Sequence, residues 1–371
     1  MFTPRIKVQN KGDEGSTSRS GKGGVAAVLK SVKQLASERN FDKAKEILIE
    51  NIELDPGNST YLLVMSKILT ITKNYNDALI FANRATKADP LNAMALLQQG
   101  LIRFKMGEHD ESIKSVISSL QLDPRSIKAL HLLQRIYSKT NRSEDLLQTC
   151  NKCIGIYPFD ARSYINKSGA LLGKGDIEEA ERVVSEAITM IPESSSLYAE
   201  LGKLHAMQGS HSSAISDYQK SIAEQKTARP LIYLKLAQSF LEVSDYTQCR
   251  ETLSEFDKSL RSLKRKSLAS RIKKRYQYSH DYLYACSLKG QESQKPYQTA
   301  VEAILRRMII DSPNLHGLSP NPISPEMLSN MSFEQIETLV IGGVKTFETK
   351  SGQDEGSSDD FDFGFEDDGG L

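Results

Sequence analysis

The sequence of 371 residues predicts an all-α fold, a right-handed superhelical solenoid of about seven stacked helix pairs with C-terminal capping helices and disordered termini. Three observations predict it. Proline recurs at Pro56, Pro90, Pro124, Pro158 and Pro192, each 34 residues after the last. The prolines sit in matching contexts, ELDPGN, KADPLN, QLDPRS, GIYPFD and TMIPES. Between them, apolar residues recur at the spacing of a helix with one buried face.

A helix does not run easily through proline, which lacks an N–H and whose ring clashes with the preceding turn, so each proline closes one pair and leads into the next. Twelve residues before each proline lies a small residue where two helices cross: Ala44, Ala78, Ser112 and Ala180, with Leu146 the exception. Eight before stand Leu48, Ala82, Val116, Cys150 and Val184, and five before stand Asn51, Ala85, Ser119, Cys153 and Ala187. In the first helix of a pair, Leu62 and Leu69, Leu130 and Tyr137, and Tyr164 and Leu171 each lie two turns apart on one face. Two more pairs follow without the proline, the second after a one-residue slip. The predicted pairs are 25–58, 59–92, 93–126, 127–160, 161–194, 195–228 and 230–259. One pair cannot bury its apolar face alone, and stacking buries it on neighbours. The first pair fits least well, with Ser31 and Val32 where leucine and glycine are expected, as suits an end cap.

These residues resemble the tetratricopeptide repeat family. Leu201-Gly202 and Gly100 match its glycine position, and Tyr164, Tyr198 and Tyr233 fill its opening aromatic position. The resemblance spans residues 25–259 and implies a protein-binding scaffold or adaptor whose groove is lined by the first helix of each repeat. Some family members clamp the C-terminal carboxylate of heat-shock chaperones with lysine and asparagine in their opening repeats. Here Leu29 and Lys33 stand at those positions, and Lys67 falls in a repeat not expected to supply the clamp, so a chaperone adaptor is not expected.

Beyond the repeats, residues 260–349 read as a helical cap. Leu260, Leu263, Leu268, Ile272, Tyr276, Leu283 and Cys286 form a stripe that predicts one long helix over 260–289. A helix around 297–310 follows, then a proline-rich loop in which Ser324 before Pro325 reads as an N-cap. Ser332 and Gln335 have capping-box spacing and start a last helix running to about residue 347. Segments 1–24 and 350–371, rich in glycine, serine and charge, are expected to be disordered.

The formal net charge of +1 gives no average pull toward nucleic acid or membrane. The four cysteines and the lack of an apolar leader point to a reducing, cytoplasmic setting, with a nuclear one allowed by the basic pairs below. No apolar run is long enough to span a bilayer. Cys150 and Cys153 form a CxxC, but both occupy core-facing repeat positions, which reads as packing, and no second pair completes a zinc site. His109, His131, His205, His211, His280 and His316 show no ligand spacing. GSTSRSGKGG fails as a phosphate loop in spacing and in the residue after lysine. No enzyme chemistry, metal or cofactor is therefore expected.

The residue after each glycine position reads Lys33, Lys67, Leu101, Arg135, Gly169, Lys203 and Gln238, and Leu97, Phe104, Lys128, His131 and Arg162 join it as groove candidates. Such a face suits an acidic protein or peptide partner with apolar anchors. Lys258–Arg275 holds nine Lys or Arg and no acid, with Lys264, Arg265, Lys266, Arg271, Lys273, Lys274 and Arg275 as candidate phosphate contacts. That supports an alternative, a nucleic-acid-associated adaptor. In the tail, Phe361, Phe363 and Phe365 stand among aspartates and a glutamate and read as a docking or autoinhibitory motif.

Overall fold

The computed structural model describes residues 22–224, 229–263, 266–288, 295–312, 318, 322–324, 327–328 and 330–353. Among the described residues there are seventeen α-helices and no strand. The chain divides into two compact units, one ending at Leu122 and the other beginning at Asp123.

The first unit contains α1 (Lys22–Ser37), α2 (Phe41–Leu54), α3 (Ser59–Ile71), α4 (Tyr75–Ala88), α5 (Ala93–Met106) and α6 (His109–Leu122). Its helices pair in order, and α3 is buried from Tyr61 to Leu69 except at Lys67. Val32, Leu48, Leu62, Met65, Ile68 and Ile102 anchor its core.

The second unit contains seven helices of the repeat array and its continuation: α7 (Ile127–Lys139), α8 (Ser143–Ile156), α9 (Ala161–Lys174), α10 (Ile177–Met190), α11 (Ser195–Met207), α12 (His211–Ala223) and α13 (Pro230–Glu242). α14 (Tyr246–Ser262), α15 (Lys266–Ser287), α16 (Lys295–Asp311) and α17 (Phe333–Gln353) complete it. The first helices α7, α9, α11 and α13 touch in succession, and each also packs on the helix that follows it.

The proline rule acts as the sequence predicts. α2, α4, α6, α8 and α10 end at Leu54, Ala88, Leu122, Ile156 and Met190, each two residues before its proline. Steric conflict with the proline Cδ drives the residue between out of the helical region, to φ −137° and ψ 80° at Asp55 and φ −139° and ψ 89° at Asp89. The next helix is then capped, where the side chains of Asn58, Asn92 and Asp160 accept from backbone N–H groups of α3, α5 and α9.

The turn inside each pair carries its own period. Arg39, Lys73, Gly107, Asn141, Gly175 and Gly209 have positive φ and stand 34 residues apart, and Ser244 comes one residue late, at the predicted slip. Beside each, the next residue's N–H reaches back to the carbonyl five residues earlier, as from Glu108 to Arg103 at 2.9 Å and from Asp176 to Leu171 at 3.0 Å, which closes the helix end.

The crossing positions are as small and dry as their spacing requires. Ala44, Ala78, Ser112, Ala180, Leu48, Ala82, Val116, Cys150 and Val184 are fully buried, and Leu146 is 4% exposed. Ala85, Ser119, Cys153 and Ala187 are buried too, while Asn51 is half-buried.

The ends of the chain depart from expectation in three places, two of them C-terminal. The segment 260–289 is not one helix: α14 ends at Ser262, Leu263 is extended at φ −62° and ψ 126°, and α15 starts at Lys266. The cause is packing, because Leu260, Leu263, Leu268 and Ile272 all enter one core with Phe240 and Phe256, which the chain achieves by folding α15 onto α14. α1 begins at Lys22, inside the segment expected to be disordered, and α17 runs to Gln353. Residues 1–21 and 354–371, including most of both expected disordered ends, lie outside the described residues. α15, α16 and α17 share a core of Tyr278, Cys286, Val301, Leu305, Met308 and Val340.

Candidate interaction surface

In the second unit the first helices hand polar groups from one to the next. Gln134 on α7 donates to Ser163 Oγ on α9 at 2.8 Å, and Asn166 on α9 donates to Gln134 Oε1 at 2.8 Å. Ser168 on α9 donates to Glu200 Oε1 on α11 at 3.0 Å, and Lys203 Nζ lies 2.9 Å from the same oxygen. Helical spacing places these side chains: Gln134 and Arg135 lie one turn past His131, and Asn166 lies one turn past Arg162. Around the ladder, Lys128 and Lys203 are exposed, while His131, Arg135, Arg162 and Asn166 are half-buried.

Asp160 ties three helices at the edge of this face. Its Oδ2 accepts from the Ser163 backbone N–H at 3.1 Å and from Ser163 Oγ at 2.6 Å. The same oxygen lies 2.8 Å from His131 Nε2 and 3.7 Å from the Cys153 thiol. Arg162 Nη1 sits 3.4 Å from His131 Nδ1, so Nδ1 accepts and Nε2 carries the proton. Burial alone would raise the Asp160 carboxyl, but the hydrogen bonds from His131 and Ser163 outweigh it and hold the group below the usual carboxylate range. Burial pushes the Cys153 thiol up, against hydrogen bonds from Ser163 and Gln134, and pushes Cys150 up to about 12. Both thiols are fully buried, which fits their core-facing register.

The sequence names some of this face and misses part of it. Lys128, His131, Arg135, Arg162 and Lys203 come together along α7, α9 and α11. Glu200 is overlooked although it stands one turn before Lys203, and it brings a buried carboxylate to a face read as a mixture of cationic and apolar residues. Gln134 is overlooked too, although it stands where Gly100 and Gly202 stand in other repeats, which is the signal that it has a different task.

In the first unit Lys33 is exposed and Lys67 half-buried. Leu97, Leu101 and Phe104 are a correction: they are 8%, 9% and 3% exposed and offer no open apolar surface. α5 is buried on nearly every side, at Ala95, Leu97, Gln98, Gly100, Leu101, Ile102 and Phe104, and the Phe104 ring lies 5.5 Å from that of His109.

Of the basic candidates, Arg271, Lys273 and Lys274 are exposed on α15, and Arg275 is half-buried with its guanidinium 5.3 Å from the Tyr276 ring centre. Lys266 Nζ donates to the Arg261 carbonyl at 2.8 Å. Lys264, Arg265, Phe361, Phe363 and Phe365 lie outside the described residues. Among the described residues no helix is long and apolar enough to cross a membrane.

Comparison with known proteins agrees with this architecture. A family model described as tetratricopeptide repeat matches residues 168–230. The TPR repeat-containing protein YpiA of Bacillus subtilis is 28% identical over 26% of this chain and 22% of its own length. The BBSome complex member BBS4 of Bos taurus is 22% identical over 58% of this chain and 41% of its own. The chain thus spans less than half the length of these relatives. A tetratricopeptide repeat protein of known structure from Parabacteroides merdae superposes with a TM-score of 0.52 over 71% of this chain and 98% of that one, at 15% identity, a likeness of fold alone. The repeat register, the helix pairs and these matches together support reading the chain as a tetratricopeptide repeat protein with a solenoid fold.

Proposed function

We propose that the chain is an interaction scaffold that holds a partner polypeptide on the face formed by α7, α9 and α11. The observation that carries this reading is the side-chain ladder from Gln134 through Ser163 and Asn166 to Ser168, Glu200 and Lys203. It fixes the spacing of three first helices while Lys128, Arg162 and Lys203 keep their cationic ends at or near the surface, so the face is pre-shaped and positively edged. A partner with acidic residues near a backbone able to lie across successive helices fits it, and no cofactor is needed. The acidic-aromatic tail, by its sequence, is a second docking segment, which either recruits a partner or occupies the basic surface of its own chain.

The test compares proteins that co-purify with the full-length chain, with a Lys128→Glu/Arg162→Glu variant, and with a Lys152→Glu variant changed on exposed α8, each with and without nuclease. Loss of a nuclease-resistant partner only in the double variant supports the face. Retention of that partner by the double variant, or recovery of nuclease-sensitive material alone, overturns it. A fourth protein ending at Gln353 reads the tail: unchanged partner binding removes the tail from the proposal.

A further inference from the structure

We propose that His131, Cys153 and Asp160 form a site for a divalent transition metal of the zinc class, with one coordination position left for water. The inference does not rest on the interaction reading above. Three elements converge there: α7 brings His131, α8 brings Cys153, and Asp160 caps α9. One ligand atom from each lies within 4.8 Å of the other two. Nitrogen, sulfur and carboxylate oxygen are the donor types that zinc takes, and three protein ligands plus water is its usual open arrangement.

The repeat register supplies an internal comparison. The position of His131 is held in other repeats by Leu63, Leu97, Ile165 and Ala199. The position of Cys153 is held by Ala85, Ser119, Ala187 and Ser221, and that of Asp160 by Asn58, Asn92, Ser126 and Ser194. Only the fourth repeat brings three metal-binding side chains to these positions at once. Capping does not require it, because Asn58 and Asn92 cap α3 and α5 with neither a histidine nor a cysteine at the matching positions. At Asp160 the cap is already complete with the Ser163 N–H and hydroxyl, and His131 and Cys153 are additional.

The geometry needs adjustment, since the three ligand atoms lie within 4.8 Å of one another. Zinc bonds of about 2.0–2.3 Å put neighbouring ligand atoms roughly 3.3–3.7 Å apart in a tetrahedron. Cys153 Sγ and Asp160 Oδ2 already stand at 3.7 Å. His131 Nε2, at 2.8 Å from Oδ2, has to back away by about half an ångström. Binding moves two protons: the Cys153 thiol proton leaves to solvent as the sulfur–metal bond forms, and the imidazole proton passes from Nε2 to Nδ1. Arg162 then turns away from Nδ1. His131 and Asp160 side chains are 15% and 14% exposed, which gives the ion and its water a way in.

The test is titration of the chelator-treated full chain with Co²⁺, followed by the near-ultraviolet thiolate-to-cobalt band, and by displacement with Zn²⁺. The variants His131→Leu, Cys153→Ser and Asp160→Asn each install a residue that another repeat carries in the same register, so the fold tolerates them, and circular dichroism confirms this. We expect one Co²⁺ per chain with a thiolate band, abolition of the band in Cys153→Ser, and at least about tenfold weaker binding in the other two. Cys150→Ser, one turn away and outside the cluster, should keep both band and affinity. Zn²⁺ should raise the melting temperature of the unmodified chain and not that of Cys153→Ser. Absence of a thiolate band in the unmodified chain, or its persistence in Cys153→Ser, overturns the site. Wild-type affinity in both His131→Leu and Asp160→Asn overturns it as well, since the thiol would then bind alone.

Discussion

Gly100 in α5 lies so close to Val116 in α6 that a Cβ on the glycine would stand 2.6 Å from the valine Cγ2 and 3.3 Å from the Ser112 carbonyl oxygen. This contact is what the small residue at the helix crossing is for. Gly100→Ala should therefore destabilise the chain by about 1–3 kcal/mol in urea unfolding, despite the better helix propensity of alanine. In a Val116→Ala background the valine methyls are gone, and the same change should become neutral or slightly stabilising. Equal effects in both backgrounds would show that the crossing is not limited by this pair.

The left-handed turn residues give a prediction with opposite signs at equivalent places. Gly175 has φ +87° and nothing within 4 Å of a built Cβ, so Gly175→Ala meets only backbone strain. It should cost about 1–2 kcal/mol. Lys73 holds φ 63° without being glycine. Lys73→Gly relieves that strain against a loss in unfolded-chain entropy, and a net gain of up to about 1 kcal/mol is expected from thermal melting. A destabilised Lys73→Gly would mean that its side chain contributes more than the turn conformation costs.

The two kinds of residue differ in how readable they are. Proline announces itself in sequence because no other residue has its ring, so five helix ends and the repeat register are visible in the sequence. The left-handed turns carry glycine at Gly107, Gly175 and Gly209 but Arg39, Lys73, Asn141 and Ser244 elsewhere, so their period appears only in the backbone. The same holds for the break at Leu263, where neither proline nor glycine warns that α14 ends. In the candidate site, helix periodicity brings Lys128, His131, Arg135, Arg162 and Lys203 to one face, yet the meeting of His131 with Cys153 and Asp160 depends on three helices and on a cap. Leu97, Leu101 and Phe104 show the limit from the other side: repeat position gives direction along the helix, and neighbouring side chains decide exposure.

Cys249 gives stability a pH dependence on the alkaline side. Burial pushes its thiol up to about 11, aided by Cys286 and Asp245 and opposed by Arg250. A thiol in the unfolded chain titrates near pH ~8.5. Between the two values the folded chain keeps a proton that the unfolded chain has lost. This contribution is fully present below the unfolded value and falls away as pH rises toward about 11. Cys249→Ala, which installs the residue that Ala180 and Ala214 supply in other repeats, should flatten the decline of urea stability above roughly pH 8.5. An unaltered decline would place the titrating group elsewhere.

Ser332 and Gln335 start α17 through a reciprocal pair of bonds: the Ser332 N–H donates to Gln335 Oε1 at 2.9 Å, and the Gln335 N–H donates to Ser332 Oγ at 3.3 Å. The helix that they start carries Ile336 and Val340 into the core shared with α15 and α16, and Glu337 to the Tyr297 hydroxyl. Loss of the cap should therefore loosen a packed helix and not merely fray an end. Ser332→Ala should cost about 1 kcal/mol, read as faster amide exchange through 333–340 with the exchange of α7–α11 unchanged. Gln335→Ala leaves the serine bond in place and should cost less. If Ser332→Ala speeds exchange equally in α7–α11, the C-terminal helices unfold together with the repeats as one cooperative body, and the cap then supports the whole second unit.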